Sequence, residues 1–137
     1  MARILAIDYG EKRTGIAVTD PLQLIASGLT TVPTEDLISF LKTYKENEAV
    51  ALFVIGAPKR HNGMPSDIES AIREFITTLN GAIPSIPVKR VDERFTSKMA
   101  FQTMIDGGVK KKARRNKALV DEISATIILQ SYLLTIK

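Results

Sequence analysis

The sequence predicts an α/β protein built on a mixed five-stranded sheet, three antiparallel strands then two parallel, with helices on both faces. Three observations carry this. Apolar runs at residues 3–9 and 14–19 flank a short glycine-bearing turn, the pattern of an antiparallel hairpin. A continuous apolar run from Ala49 to Ile55 reads as a central strand. Segments with helical spacing separate the later strands, so these run parallel, and right-handed crossovers place them beside the hairpin.

The elements follow in order. The first strand stops at a carboxylate, Asp8, and the turn Gly10 to Arg13 leads into the second strand, Thr14 to Thr19. After the Asp20-Pro21 turn, residues 23–32 read as a third strand in which Gly28 marks a bulge. Thr34 is the expected N-cap of a helix whose apolar stripe is Leu37, Phe40, Leu41 and Tyr44. The central strand is followed by a loop with Pro58 and the turn signal Asn62-Gly63. Ser66-Asp67-Ile68-Glu69 has the form of a capping box, opening a second helix with Ile72, Phe75 and Leu79 in its buried stripe. A short strand from Val88 to Glu93 comes next. A helix capped by Thr96 or Ser97 then runs to Gly107-Gly108, and a last helix covers roughly residues 116–135.

A chain of 137 residues without an internal repeat or linker predicts one domain, residues 1–137, with one core. No apolar run approaches the roughly 20 residues of a membrane helix, and the N-terminus lacks the apolar stretch of a signal peptide, so no membrane partner is expected. There is no cysteine, which excludes disulfides and zinc–thiolate sites and fits the cytoplasm. The net charge of +4 is unevenly spread: Lys110, Lys111, Lys112, Arg114, Arg115 and Lys117 fall within eight positions, the electrostatic footprint of a polyanion binder.

Chemistry is suggested by three acids far apart in sequence. Asp8 ends the first strand, Asp92 and Glu93 end the last one, and Asp121 lies early in the final helix. Asp121 shares a helix side with Ala125 and Ile128, so it is expected to be partly buried and to need a cation or donors. Asp92 and Glu93 face opposite ways on a regular strand; the register is open, and Glu93 is assigned to the site. Sites in open α/β sheets form at strand ends where the order reverses. Hard oxygen ligands there suit Mg²⁺ or Mn²⁺. Lys12 and Arg13, in the turn beside Asp8, are placed to hold a phosphate. His61, the single histidine, reads as a surface turn residue rather than a general base.

Together these motifs resemble the YqgF-type RNase H-like family. The resemblance rests on Asp8-x-Gly10-x-Lys12-Arg13-x-Gly15, Val18-Thr19-Asp20, Gly56-Ala-Pro58-Lys-Arg-His-Asn-Gly63, Asp92-Glu-Arg-Phe-Thr-Ser97 with Ala100, and Val120-Asp-Glu-Ile-Ser-Ala125 leading into Ile128-Leu-Gln-Ser-Tyr-Leu133. It spans residues 3–134. Members are described as Holliday junction resolvases and as nucleases trimming the 5′ end of precursor 16S ribosomal RNA. The resemblance implies an RNase H-like fold and metal-ligand roles for Asp8, Glu93 and Asp121.

The expected activity is hydrolysis of a phosphodiester with two divalent ions held by those acids, Asp8 bridging them. Lys12, Arg13, Arg94 and the basic block 110–115 are the expected nucleic-acid contacts. The expected substrate is precursor ribosomal RNA. A junction resolvase acting on branched DNA is the nearest alternative, and it favours a homodimer where RNA trimming needs only a monomer. A nucleotide-binding phosphotransferase and a non-catalytic nucleic-acid-binding module are further alternatives.

Overall fold

The computed structural model describes residues 2–58, 67–92 and 117–136. The helix expected between Thr96 and Gly107, and the loop before Ser66, lie outside them. Five strands, β1 (Arg3–Asp8), β2 (Arg13–Thr19), β3 (Ala26–Pro33), β4 (Val50–Ala57) and β5 (Val88–Asp92), form one sheet in the order β3-β2-β1-β4-β5. β2 is antiparallel to both β1 and β3, while β4 is parallel to β1 and to β5. The mixed sheet expected from the sequence is therefore the one formed. β3 carries its bulge between the partners of Ile16 and Ala17, next to Gly28.

Among the described residues three α-helices cover the sheet: α1 (Leu37–Asn47), α2 (Glu69–Ala82) and α3 (Lys117–Thr135). Alternation along the strands sorts side chains between two cores. Leu5, Ile7, Ile16, Val18, Phe53 and Ile55 pack with α1 and α2. Ile4, Ala6, Ala17, Leu52 and Val54 pack against Ala125, Ile128, Leu129 and Leu133 of α3. β1 and β4 are thus buried on both faces, which is why their sequences are apolar without alternation. Each fully buried Leu, Ile or Phe contributes about 1.5–3 kcal/mol to folding.

The start of α1 differs from its sequence signal. Residues Thr34–Asp36 form a 3-10 turn before α1, and no side chain caps either element. The Thr34 hydroxyl instead donates to the Gly10 carbonyl (2.5 Å) and meets the Thr14 hydroxyl at 2.9 Å. α2 begins at Glu69, whose carboxylate bonds Arg90 and Arg73; Ser66, the expected cap, lies outside the described residues.

α3 is long and apolar enough to cross a membrane by length and composition, which the apolar runs did not suggest. Its packing explains the composition: it lies on β1, β2 and β3 with its Ala125, Ile128, Leu129 and Leu133 buried.

Candidate active site at the carboxyl edge of the sheet

The carboxyl ends of β1, β4 and β5 lie along one edge, since Ile7 pairs with Ile55 and Ala57 with Asp92. Asp8 is the last residue of β1. It follows Ile4 and Ala6 on the alternating face that packs against α3. Across the hairpin its partner is Gly15. A side chain at Gly15 would run into the Asp121 carbonyl, so the absence of a Cβ lets α3 settle onto β2 at that residue. A sheet pair and a bare glycine thus bring the face of Asp8 and the backbone of Asp121 together.

Asp121 is half-buried, as its spacing to Ala125 and Ile128 implied. Its Oδ2 lies 2.6 Å from Arg13 Nε, and both atoms are shielded from water. The sequence supplied no signal for this pair; only the fold joins them. Arg13 opens β2 on the α3 face, the same face as Gly15 and Ala17. Gly10, Glu11, Lys12, Arg13 and Asp121 line a cavity of about 320 Å³ at this corner. Lys12 is exposed.

The turn between β1 and β2 is fixed from the other face of the sheet. The Thr34 hydroxyl and the Thr34 N–H hold the carbonyls of Gly10 and Lys12, the latter at 3.0 Å. The Tyr9 ring lies 5.2 Å from that of Phe75 in α2. A side chain at Gly10 would collide with the Arg13 carbonyl, so the turn closes tightly.

On β5, Val91 packs on the α3 side while Arg90 reaches Glu69 of α2. Asp92 therefore falls on the α2 face, away from the face of Asp8. Glu93 and Arg94 lie outside the described residues, as do Lys59, Arg60, His61, Lys110, Lys111, Lys112, Arg114 and Arg115. Among the described residues no group of three or more His, Cys, Asp or Glu is gathered; Asp8 and Asp121 are two of the three expected acids.

Arg90 belongs to a second charged cluster. Its Nη2 donates to Glu69 Oε1 (2.7 Å) and to the Gly56 carbonyl (2.9 Å), and its Nη1 to Glu69 Oε2 (3.0 Å). Arg73 Nε donates to the same Oε2 at 2.9 Å. These bonds, from Arg90 first and then Arg73, hold the Glu69 carboxyl below its usual range against the opposing effect of burial. Another carboxylate is used locally: Asp20 accepts the backbone N–H groups of Ile25, Leu24 and Leu22, which lowers its pKa and closes the β2–β3 turn.

This sheet order and strand direction are those of the RNase H-like fold class. Two solved structures share the fold: RuvC of Thermus thermophilus in complex with a Holliday junction substrate (TM-score 0.60, covering 99% of this chain and 96% of that one) and Thermus thermophilus RuvC (TM-score 0.53, 98% and 96%). Both are 14% identical to this chain. The chain belongs to the family described as "RuvX: Holliday junction resolvase", whose model matches residues 2–135. Relatives from Flavobacterium johnsoniae (62% identical, covering 97% of this chain and 96% of the relative) and Christiangramia forsetii (63%, 97% and 98%) carry the name "Putative pre-16S rRNA nuclease".

Proposed function

We propose that the chain is a metal-dependent endonuclease that hydrolyses phosphodiester bonds in the 5′-end processing of precursor 16S ribosomal RNA, a cytoplasmic task. The observation that carries this is the convergence of Asp8 and the Asp121 backbone on one face, beside a cavity that Lys12 borders. The names of the relatives supply the substrate class.

The donor set fits divalent ions. Carboxylate oxygens are hard ligands, and a half-buried acid on an apolar helix face needs positive charge nearby. Asp8, Glu93 and Asp121 would hold Mg²⁺ or Mn²⁺, two ions when loaded. Such ions supply an activated water and stabilise the leaving oxygen. The protein's part is to fix the acids and to bring a phosphate alongside them. Lys12 draws the backbone phosphates into the cavity, and Arg94 with the basic block Lys110, Lys111, Lys112, Arg114 and Arg115 extends the contact along the nucleic acid. Phosphate contacts position the substrate without reading sequence, so selectivity comes from nucleic-acid shape or from partners.

The second reading is a resolvase acting on branched DNA, favoured by the family description. Paired cuts then call for a homodimer, whereas a monomer suffices for trimming RNA. Labelled precursor RNA, a four-way DNA junction and ATP, each offered with Mg²⁺ or Mn²⁺, separate these readings. RNA is expected to be cut, and Asp8→Asn to lose at least roughly a thousandfold in rate, about 4 kcal/mol of barrier. Cleavage of the junction alone selects the resolvase, consumption of ATP a phosphotransferase. Equal activity in Asp8→Asn would remove Asp8 from the chemistry.

A further inference from the structure

Arg13 and a divalent ion would make contradictory demands on one oxygen of Asp121. Asp121 Oδ2 lies 2.6 Å from Arg13 Nε, with both atoms shielded from water. Yet the two side chains are 38% and 24% exposed and border the cavity that Lys12 also lines. A carboxylate that holds a divalent ion gives that ion its lone pairs, and a guanidinium on the same oxygen opposes this by occupation and by like charge.

We propose that Arg13 is an exchangeable counter-ion: it neutralises Asp121 until a divalent ion takes its place, and its released guanidinium then clamps a phosphate of the substrate. The inference rests on the metal-dependent reading above and adds to it a role for Arg13 that couples the two binding events. The pieces are local. Arg13 is the first residue of β2, so its backbone is fixed by pairing with Pro33 while its side chain borders the cavity. A guanidinium presents a planar fork of donors that matches a phosphate in two places, which the ammonium of neighbouring Lys12 does not. Neutralisation of Asp121 by Arg13 keeps the corner assembled without metal, since an uncompensated half-buried carboxylate is costly. The exchange also makes metal and substrate mutually reinforcing, because a phosphate that engages Arg13 relieves Asp121 of its competitor.

The test needs no catalysis. Mn²⁺ is titrated calorimetrically, without nucleic acid, into the unaltered protein, Arg13→Gln and Asp8→Asn. The expected result is Mn²⁺ affinity roughly fivefold or more higher in Arg13→Gln, with binding lost in Asp8→Asn. The unaltered protein gives an independent readout: the Arg13 Nε–H signal, followed by nuclear magnetic resonance, moves toward the value of a free guanidinium as Mg²⁺ is added. An Nε signal unmoved at saturating Mg²⁺, or a folded Arg13→Gln that binds Mn²⁺ no more tightly, overturns the exchange while Asp8-dependent binding leaves the metal site standing. Absence of Asp8-dependent binding in the unaltered protein overturns both.

Discussion

Among the described residues, Glu69 and Asp121 each meet arginine near the carboxyl edge of the sheet, on opposite faces, and the two pairings are built differently. Glu69 is 10% exposed and is held by both Nη atoms of Arg90 and by Arg73, while Arg90 also serves the carbonyls of Ile55 and Gly56. That cluster fastens α2 to β4 and β5. Asp121 is 24% exposed and meets Arg13 beside an open cavity. A sealed, multiply bonded carboxylate acts in folding; one that borders solvent on the face of the strand-end Asp8 is the one proposed above to exchange its partner. Burial and neighbourhood, rather than residue type, divide the roles.

Three substitutions break or sharpen this contrast. The largest effect on stability is expected from Gly15→Ala, which pushes a methyl into the Asp121 carbonyl. About 3 kcal/mol should be lost in urea denaturation, and nuclease activity should fall with it as α3 is displaced from β2. Retained stability with retained activity would show that α3 tolerates a different seat.

Glu69→Gln should cost about 2 kcal/mol at neutral pH while leaving the activity of the folded fraction unchanged. The pH dependence carries a sign. Because Arg90 and Arg73 lower the folded-state pKa of Glu69, its contribution is complete above the ordinary value of 4.5 and is lost as pH falls through the lowered one. The gap between the unaltered protein and Glu69→Gln should therefore close below that value. A gap independent of pH would reduce the pair to a packing role.

The smallest effect is expected from Thr34→Val. It removes the hydroxyl that holds Gly10 and Thr14, costing about 1 kcal/mol. Because the turn carries Lys12 and Arg13, KM should rise more than kcat falls. An effect confined to stability would detach this latch from the site.

The sheet was legible because its signals are local. The apolar runs of β1, β2 and β4, the break at Gly10 and the helical stripe of Leu37 and Leu41 need no knowledge of distant residues. The burial of Asp121 was legible for the same reason, through its spacing to Ala125 and Ile128. What stayed hidden is tertiary. Thr34 looks like a helix-start residue, but it finds a partner far along the chain, Gly10, in place of the cap, and Glu69 gains a partner in Arg90 that its own segment does not announce. Gly15 reads as a turn-proximal strand residue, and only the seating of α3 shows why a side chain is excluded. The choice between Asp92 and Glu93 needed a register that Arg90 and Val91 supply for Asp92 alone.

Asp8 and Asp121 stand on the first and the last of the described elements. Contacts across so long a stretch of chain form slowly, so the two acids are expected to meet late in folding. A nascent chain leaving the ribosome can complete β1 through β5 and still lack Asp121. If Asp121 serves the proposed site, detachment of the start of α3 would silence the folded protein just as well, with the sheet intact. On the proposed assignment of the site, catalytic competence is thus the last property this chain acquires and the first it can shed.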